Sequence, residues 1–70
     1  MKYAVVIEKS ANGYGAWAPD LPGCVAAGRT RAETLELMRE AVELHLEMTR
    51  RQGEPVPPPT STVDIVEVAA

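Results

Sequence analysis

Thr30–Gly53, TRAETLELMREAVELHLEMTRRQG, is the stretch on which the fold turns, because it is the one long element in a 70-residue chain whose other segments are short and extended. It reads as a single amphipathic helix. Thr30 is followed three residues later by Glu33, the spacing of a capping box in which hydroxyl and carboxylate satisfy free N–H groups at the helix start. At the other end, Gly53 can take the left-handed conformation that closes a helix, Arg50 and Arg51 sit beside the negative end of the dipole, and Pro55 forbids continuation. At about 1.5 Å per residue the helix spans roughly 30 Å, enough to cross a small sheet from end to end.

Helical spacing puts Leu35, Met38, Val42, Leu46 and Thr49 on one stripe, and Leu37, Ala41, Leu44 and Met48 on a second stripe beside it. Glu33, Glu36, Arg39, Glu40, Glu43, Glu47, Arg50 and Arg51 take the remaining side. The apolar arc is about 200° wide, whereas covering one face of a sheet takes about 100°. One stripe therefore needs a further partner. The chain's own C-terminal tail is one reading, and another copy or another protein is the second.

Seventy residues make one domain, 1–70, with a modest core, and chains of this size are commonly stabilised by disulfides, metals or oligomerisation. Cys24 is the only cysteine and His45 the only histidine, so neither a disulfide framework nor a metal set is expected, and no cofactor. Oligomerisation, as a dimer or tetramer, is the stabiliser that remains. No signal peptide and no apolar run of membrane-spanning length can be read, which gives no membrane association and a cytoplasmic location as expectations. The formal net charge of -3, with the basic residues scattered, argues against a free-standing nucleic-acid binder. The acidic helix face suits either plain solvation or a basic partner.

In chain order, Lys2–Lys9 reads as a strand with Tyr3, Val5 and Ile7 alternating against Ala4, Val6 and Glu8, and its β-branched run suggests a central position. Asn12-Gly13 in KSANG signals a hairpin with positive φ at both turn positions. Tyr14–Ala18 is the second strand, with Trp17 as cross-strand packing or a binding anchor, and Gly15 permitting close approach of a neighbour. Pro22-Gly23 suits the centre of a type II turn, and Asp20 can bond locally to backbone N–H groups. Cys24–Gly28 is a short third strand in which the cysteine reads as a small buried hydrophobe. After the helix, EPVPPPTST (54–62) is a stiff proline-rich return, and Val63–Val68, VDIVEV, is a fourth strand.

The expected fold is α+β and two-layered, β-β-β-α-β. Three strands joined by tight turns make an antiparallel meander, and a right-handed crossover through the helix returns the fourth strand beside the first. The sheet is then mixed, in the order 3-2-1-4, with one helix on one face and the other face uncovered.

These residues resemble the HicB-like antitoxin domain of bacterial and archaeal toxin–antitoxin systems. The likeness rests on MKYAVVIEK (1–9), the hairpin with Gly13 and Tyr14, DLPGCVAAGRTRAETLELMREAVELHLE (20–47) and GEPVPPP (53–59), and so covers nearly the entire chain. It implies a partial ribonuclease H-like fold. As partner it implies a small, basic HicA-type ribonuclease, encoded nearby, with a double-stranded-RNA-binding-like fold and a catalytic histidine, whose active surface the antitoxin covers. Many members of the family also carry a C-terminal DNA-binding segment. The 70 residues contain no candidate for one, and direct DNA binding by this chain is not expected.

Three functions from different classes follow. The first is an antitoxin-like binding module, with Trp17, Leu37, Glu40, Leu44, Glu47 and Met48 as candidate partner-binding residues. The second is a stand-alone homo-oligomer without a toxin. A metal-dependent nuclease is the third and least supported, since Glu8, Asp20, Glu33 and Asp64 fall on different elements and the chain shows no catalytic pair.

Overall fold

A computed structural model describes residues 1–70 and shows three strands followed by one helix. They are β1 (Val6–Ser10), β2 (Gly13–Trp17), β3 (Val25–Gly28) and α1 (Arg31–Arg51). Both sheet pairings are antiparallel, in the order β1-β2-β3, with Val6 opposite Trp17 and Trp17 opposite Val25. The α+β, two-layer reading therefore holds. The helix lies on one face, chiefly over β3 and β2.

The helix ends are built as the sequence indicates. Thr30 Oγ1 accepts from Glu33 N at 3.1 Å, and Glu33 Oε1 reaches back to Arg29 N at 3.2 Å. Gly53 has φ +73°, with Gly53 N donating to Arg50 O and Glu54 N to Thr49 O, the paired bonds of a Schellman closure. Between β2 and β3, Cys24 N donates to Leu21 O at 3.0 Å around Pro22-Gly23, where Gly23 has φ +82°, the value a type II turn requires. The loop drives Leu21 into the centre of the core, where it is 0% exposed beside Ala16, Ala18, Cys24 and Met38. Tyr3, Val5, Ile7, Ala26, Ala41, Val42 and Leu46 pack around these five.

Four expectations need correction. The mixed four-stranded sheet in the order 3-2-1-4 is not formed: Val63–Val68 is not a strand, and no backbone–backbone hydrogen bond involves a residue beyond Glu54. The physical reason is the path of the proline-rich return. It is held where Tyr3 Oη donates to Pro57 O and where Asp20 grips Thr60 and Ser61, and Val63–Val68 then runs out exposed. Without a fourth strand, β2 rather than β1 is central. The hairpin turn is also displaced by one residue, to Ala11-Asn12, since Ser10 pairs with Gly13 and no residue other than glycine has positive φ.

Lastly, the close backbone approaches lie at Gly13 and Gly28, not at Gly15. A Cβ on Gly15 would meet nothing within 4 Å, because it points to the uncovered sheet face. A Cβ on Gly13 would stand 2.4 Å from Gly28 O, and one on Gly28 would stand 2.7 Å from Thr34 Oγ1. Thr34 is fully buried and donates to Thr30 O at 2.7 Å, so it cannot move aside without losing that bond. Gly28→Ala is expected to lower unfolding stability by about 1–3 kcal/mol in urea titration, in the range for overpacking a tight contact. An alanine at 15 should be tolerated by the same assay.

Candidate protein-binding surfaces

Alternation along β2 settles the first surface. Ala16 points into the core, so Trp17 points away from the helix, and it is 42% exposed with Val25 and Gly15 on the same uncovered face. Glu8 stands beside it, accepting from Trp17 Nε1 at 3.1 Å. That bond fixes the indole while leaving its apolar body in solvent, so the open sheet face carries an apolar patch with a polar rim.

The second surface is on the helix. Its core stripe is Thr34, Met38, Ala41, Val42 and Leu46, with Met38 only 1% exposed. The first of the two stripes read from the sequence is thus the core stripe, apart from Leu35 at its margin. From the second stripe only Ala41 joins the core. Leu37, Leu44 and Met48 stay exposed, Leu44 at 57%. Glu40 and Glu47 border them on the polar side.

Charge on that polar side is mostly neutralised locally. Arg39 pairs with both Glu36 and Glu43, and Arg51 Nη2 lies 2.7 Å from Glu47 Oε1. The Arg39 hydrogen bond, and then its charge, hold the Glu36 carboxyl below its ordinary range, and Arg39 is correspondingly raised. All three pairs are exposed and contribute little to stability. Glu33 is spent on the helix cap. Glu40 is the carboxylate of this face left without an ion pair or hydrogen bond, and it lies within one turn of both Leu37 and Leu44. The structure therefore divides the sequence-derived set. Leu37, Glu40, Leu44, Glu47 and Met48 share a helix flank, while Trp17 lies on the opposite side of the sheet.

Sequence reasoning missed the Asp20 clasp. Asp20 Oδ2 accepts from Thr60 N (2.9 Å) and Ser61 N (2.8 Å), and Oδ1 from the hydroxyls of Thr60 (3.1 Å) and Ser61 (2.8 Å). The expected local bonding is replaced by a contact some forty residues away in sequence. A Thr-Ser pair after a proline run was the only available signal. The Ser61 backbone and side-chain bonds, with those of Thr60, hold the Asp20 carboxyl below its ordinary value of 3.8. A lowered pKa gives stability that is present above the unfolded value and lost as pH falls through the folded one. Protection of the Thr60 and Ser61 amides against hydrogen exchange should accordingly persist at neutral pH, disappear as pH drops below about 3.8, and be absent in Asp20→Ala at any pH.

No group of three or more His, Cys, Asp or Glu side chains is gathered as for a metal ion. Glu8, Asp20 and Glu33 hold Trp17, the tail and the helix cap respectively, while Asp64 bonds to Ile65 N. Cys24 is buried, and burial pushes its thiol pKa up, away from the thiolate a reactive cysteine needs. No helix is long and apolar enough to cross a membrane.

Two exposed apolar surfaces on opposite sides of a small protein suit protein binding. Residues 3–69 match the family model described as the HicB-like antitoxin of bacterial toxin–antitoxin systems. The chain belongs to the HicB-like antitoxin family. A UPF0150 protein of Thermoplasma acidophilum is 38% identical over 58 residues, covering 81% of this chain and 84% of the relative. A UPF0150 protein of Archaeoglobus fulgidus is 43% identical over 51 residues, covering 71% and 74%. Among solved structures, a chain of a HicA3 and HicB3 toxin–antitoxin complex superposes with a TM-score of 0.73 at 35% identity, over 84% of this chain and 70% of that one. The HicB-like α+β fold is thus shared, and the resemblance read from the DLPGC segment and the capped helix is confirmed.

Proposed function

We propose that this HicB-like chain is an antitoxin module that binds a small, basic HicA-type ribonuclease and masks its active surface. The observation that carries the reading is the likeness in fold and sequence to a chain of a complex of HicA3 with HicB3. The helix flank is the surface assigned to the toxin. Leu37, Leu44 and Met48 offer exposed apolar contact, and Glu40 is a carboxylate free to pair with a basic partner. Trp17, on the other side of the sheet, is left for a separate contact. In this role the protein works by occlusion and needs no catalytic group, metal or cofactor of its own, and it acts in the cytoplasm alongside its toxin.

Copurification of the tagged chain with the product of an adjacent small basic reading frame tests the proposal. Capture of that product in stoichiometric amount is expected. A neighbouring HicA-type protein that does not bind would remove the proposal's support.

A further inference from the structure

We infer that two copies of this chain exchange their C-terminal segments, Val63–Val68 of each adding as a fourth strand to the outer edge of β1 in the other. The inference is independent of the toxin.

Two unsatisfied features of the same molecule fit one another. The first is the segment itself. VDIVEV is rich in β-branched residues and has apolar side chains on both faces of an extended chain, Val63 and Ile65 on one and Val66 and Val68 on the other. All four are exposed, Ile65 at 88%, and the segment's backbone makes no hydrogen bond to the rest of the domain. The second is the outer edge of β1, unpaired because β1 ends the sheet. A groove of about 750 Å³ runs beside the segment that leads into β1, between Met1, Tyr3 and Val5 on one side and Leu35, Val42 and Leu46 of the helix on the other. An added strand that continued past β1 along Met1–Val5 would therefore run beside this groove. One face of an added VDIVEV strand would enter the groove, and the other would extend the apolar patch of Trp17 and Val25.

The segment does not occupy its own groove, and none of its residues lines it. Its root is fixed by the Asp20 clasp and the Tyr3–Pro57 bond, and beyond that root it projects. The radius of gyration is 13.6 Å and the extents are 48 × 26 × 16 Å. A compact chain of this length has a radius of gyration of about 11 Å. A second copy supplies an identical projecting strand and an identical vacant edge. The arrangement therefore closes on a two-fold axis, each tail filling the other's groove, with no surface left to propagate.

Light scattering on the full chain tests this, together with Ile65→Pro and Leu35→Arg. Both positions are exposed in the single chain, so the helical circular dichroism of the variants should match the parent. Ile65→Pro removes a ladder donor from the tail, and Leu35→Arg puts a charge in the groove. The parent is expected at twice the 7.6 kDa chain mass and both variants at 7.6 kDa. Amides of Val63–Val68 should be protected from exchange in the parent alone. A monomeric parent overturns the inference whether those amides are protected, meaning the tail folds onto its own edge, or not. A proline variant that keeps the dimer mass also overturns it.

Discussion

Leu21→Ala is expected to lower the stability of this domain by about 2–5 kcal/mol, the range for deleting a fully buried leucine. A chain of this size commands in total roughly 3–10 kcal/mol. The effect is large because the core is small: five hydrophobic residues are buried, Leu21 is the most completely enclosed of them, and backbone bonds to Ala18 and Cys24 fix it from both sides. Leu21→Asp should leave no folded population, since an unpaired carboxylate there has no partner in reach. Urea titration followed by helical circular dichroism would register both. A midpoint for Leu21→Ala equal to the parent's would mean that the core is not where the structure puts it.

The second large effect concerns the helix flank. Leu44→Arg and Glu40→Lys change exposed positions and should shift the urea midpoint by less than about 0.5 kcal/mol. Each puts a positive charge where a basic toxin would dock. The expected loss of toxin affinity is about 2 kcal/mol per substitution, near 30-fold, as for a contact at the centre of an interface. Titration calorimetry against the toxin separates this from unfolding, because the stability assay stays silent. Equal affinity in both variants would move the toxin to the other exposed surface, around Trp17.

Local chemistry made much of this fold readable in advance. The Thr30–Glu33 pairing and Gly53 mark helix ends that depend only on neighbouring backbone groups, and both are found as read. The type II turn at Pro22-Gly23 and the three-strand meander are local in the same sense. The helix stripes divided as periodicity suggests: Met38, Val42 and Leu46 face the sheet, and Leu37, Leu44 and Met48 do not.

What could not be read depends on contacts distant in sequence. β-propensity marks VDIVEV as a strand, but the segment pairs with no edge of its own sheet. Its path is set by the Asp20 clasp, whose partners lie some forty residues away and are marked in the sequence only by a Thr-Ser pair after the proline run. The strand limits shifted for a related reason. Tyr3 and Val5 alternate toward the core as a strand would, but the ladder stops at Val6–Trp17, since Pro19 and the turn behind it offer no continuing partner. Glycine roles were misplaced too: neither the carbonyl facing Gly13 nor the Thr34 hydroxyl facing Gly28 is adjacent in sequence.

The apparent acidity of the helix was also partly misleading. Periodicity gathers the glutamates on one side, but Arg39 and Arg51 lie within a turn of three of them, pair with all three and offset two of the three charges in place. The candidate site shrinks accordingly, from an acidic face to one free carboxylate among exposed leucines and a methionine. That is a more specific surface for a partner than a diffuse field would be.

Inhibition of the toxin's ribonuclease activity by the purified chain is the most direct test of the antitoxin reading. RNA cleavage by the neighbouring HicA-type protein should fall to background when this chain is added in equal amount, and should return when Glu40→Lys, Leu44→Arg double-variant chain replaces it. Undiminished cleavage in the presence of excess folded parent chain would contradict the account.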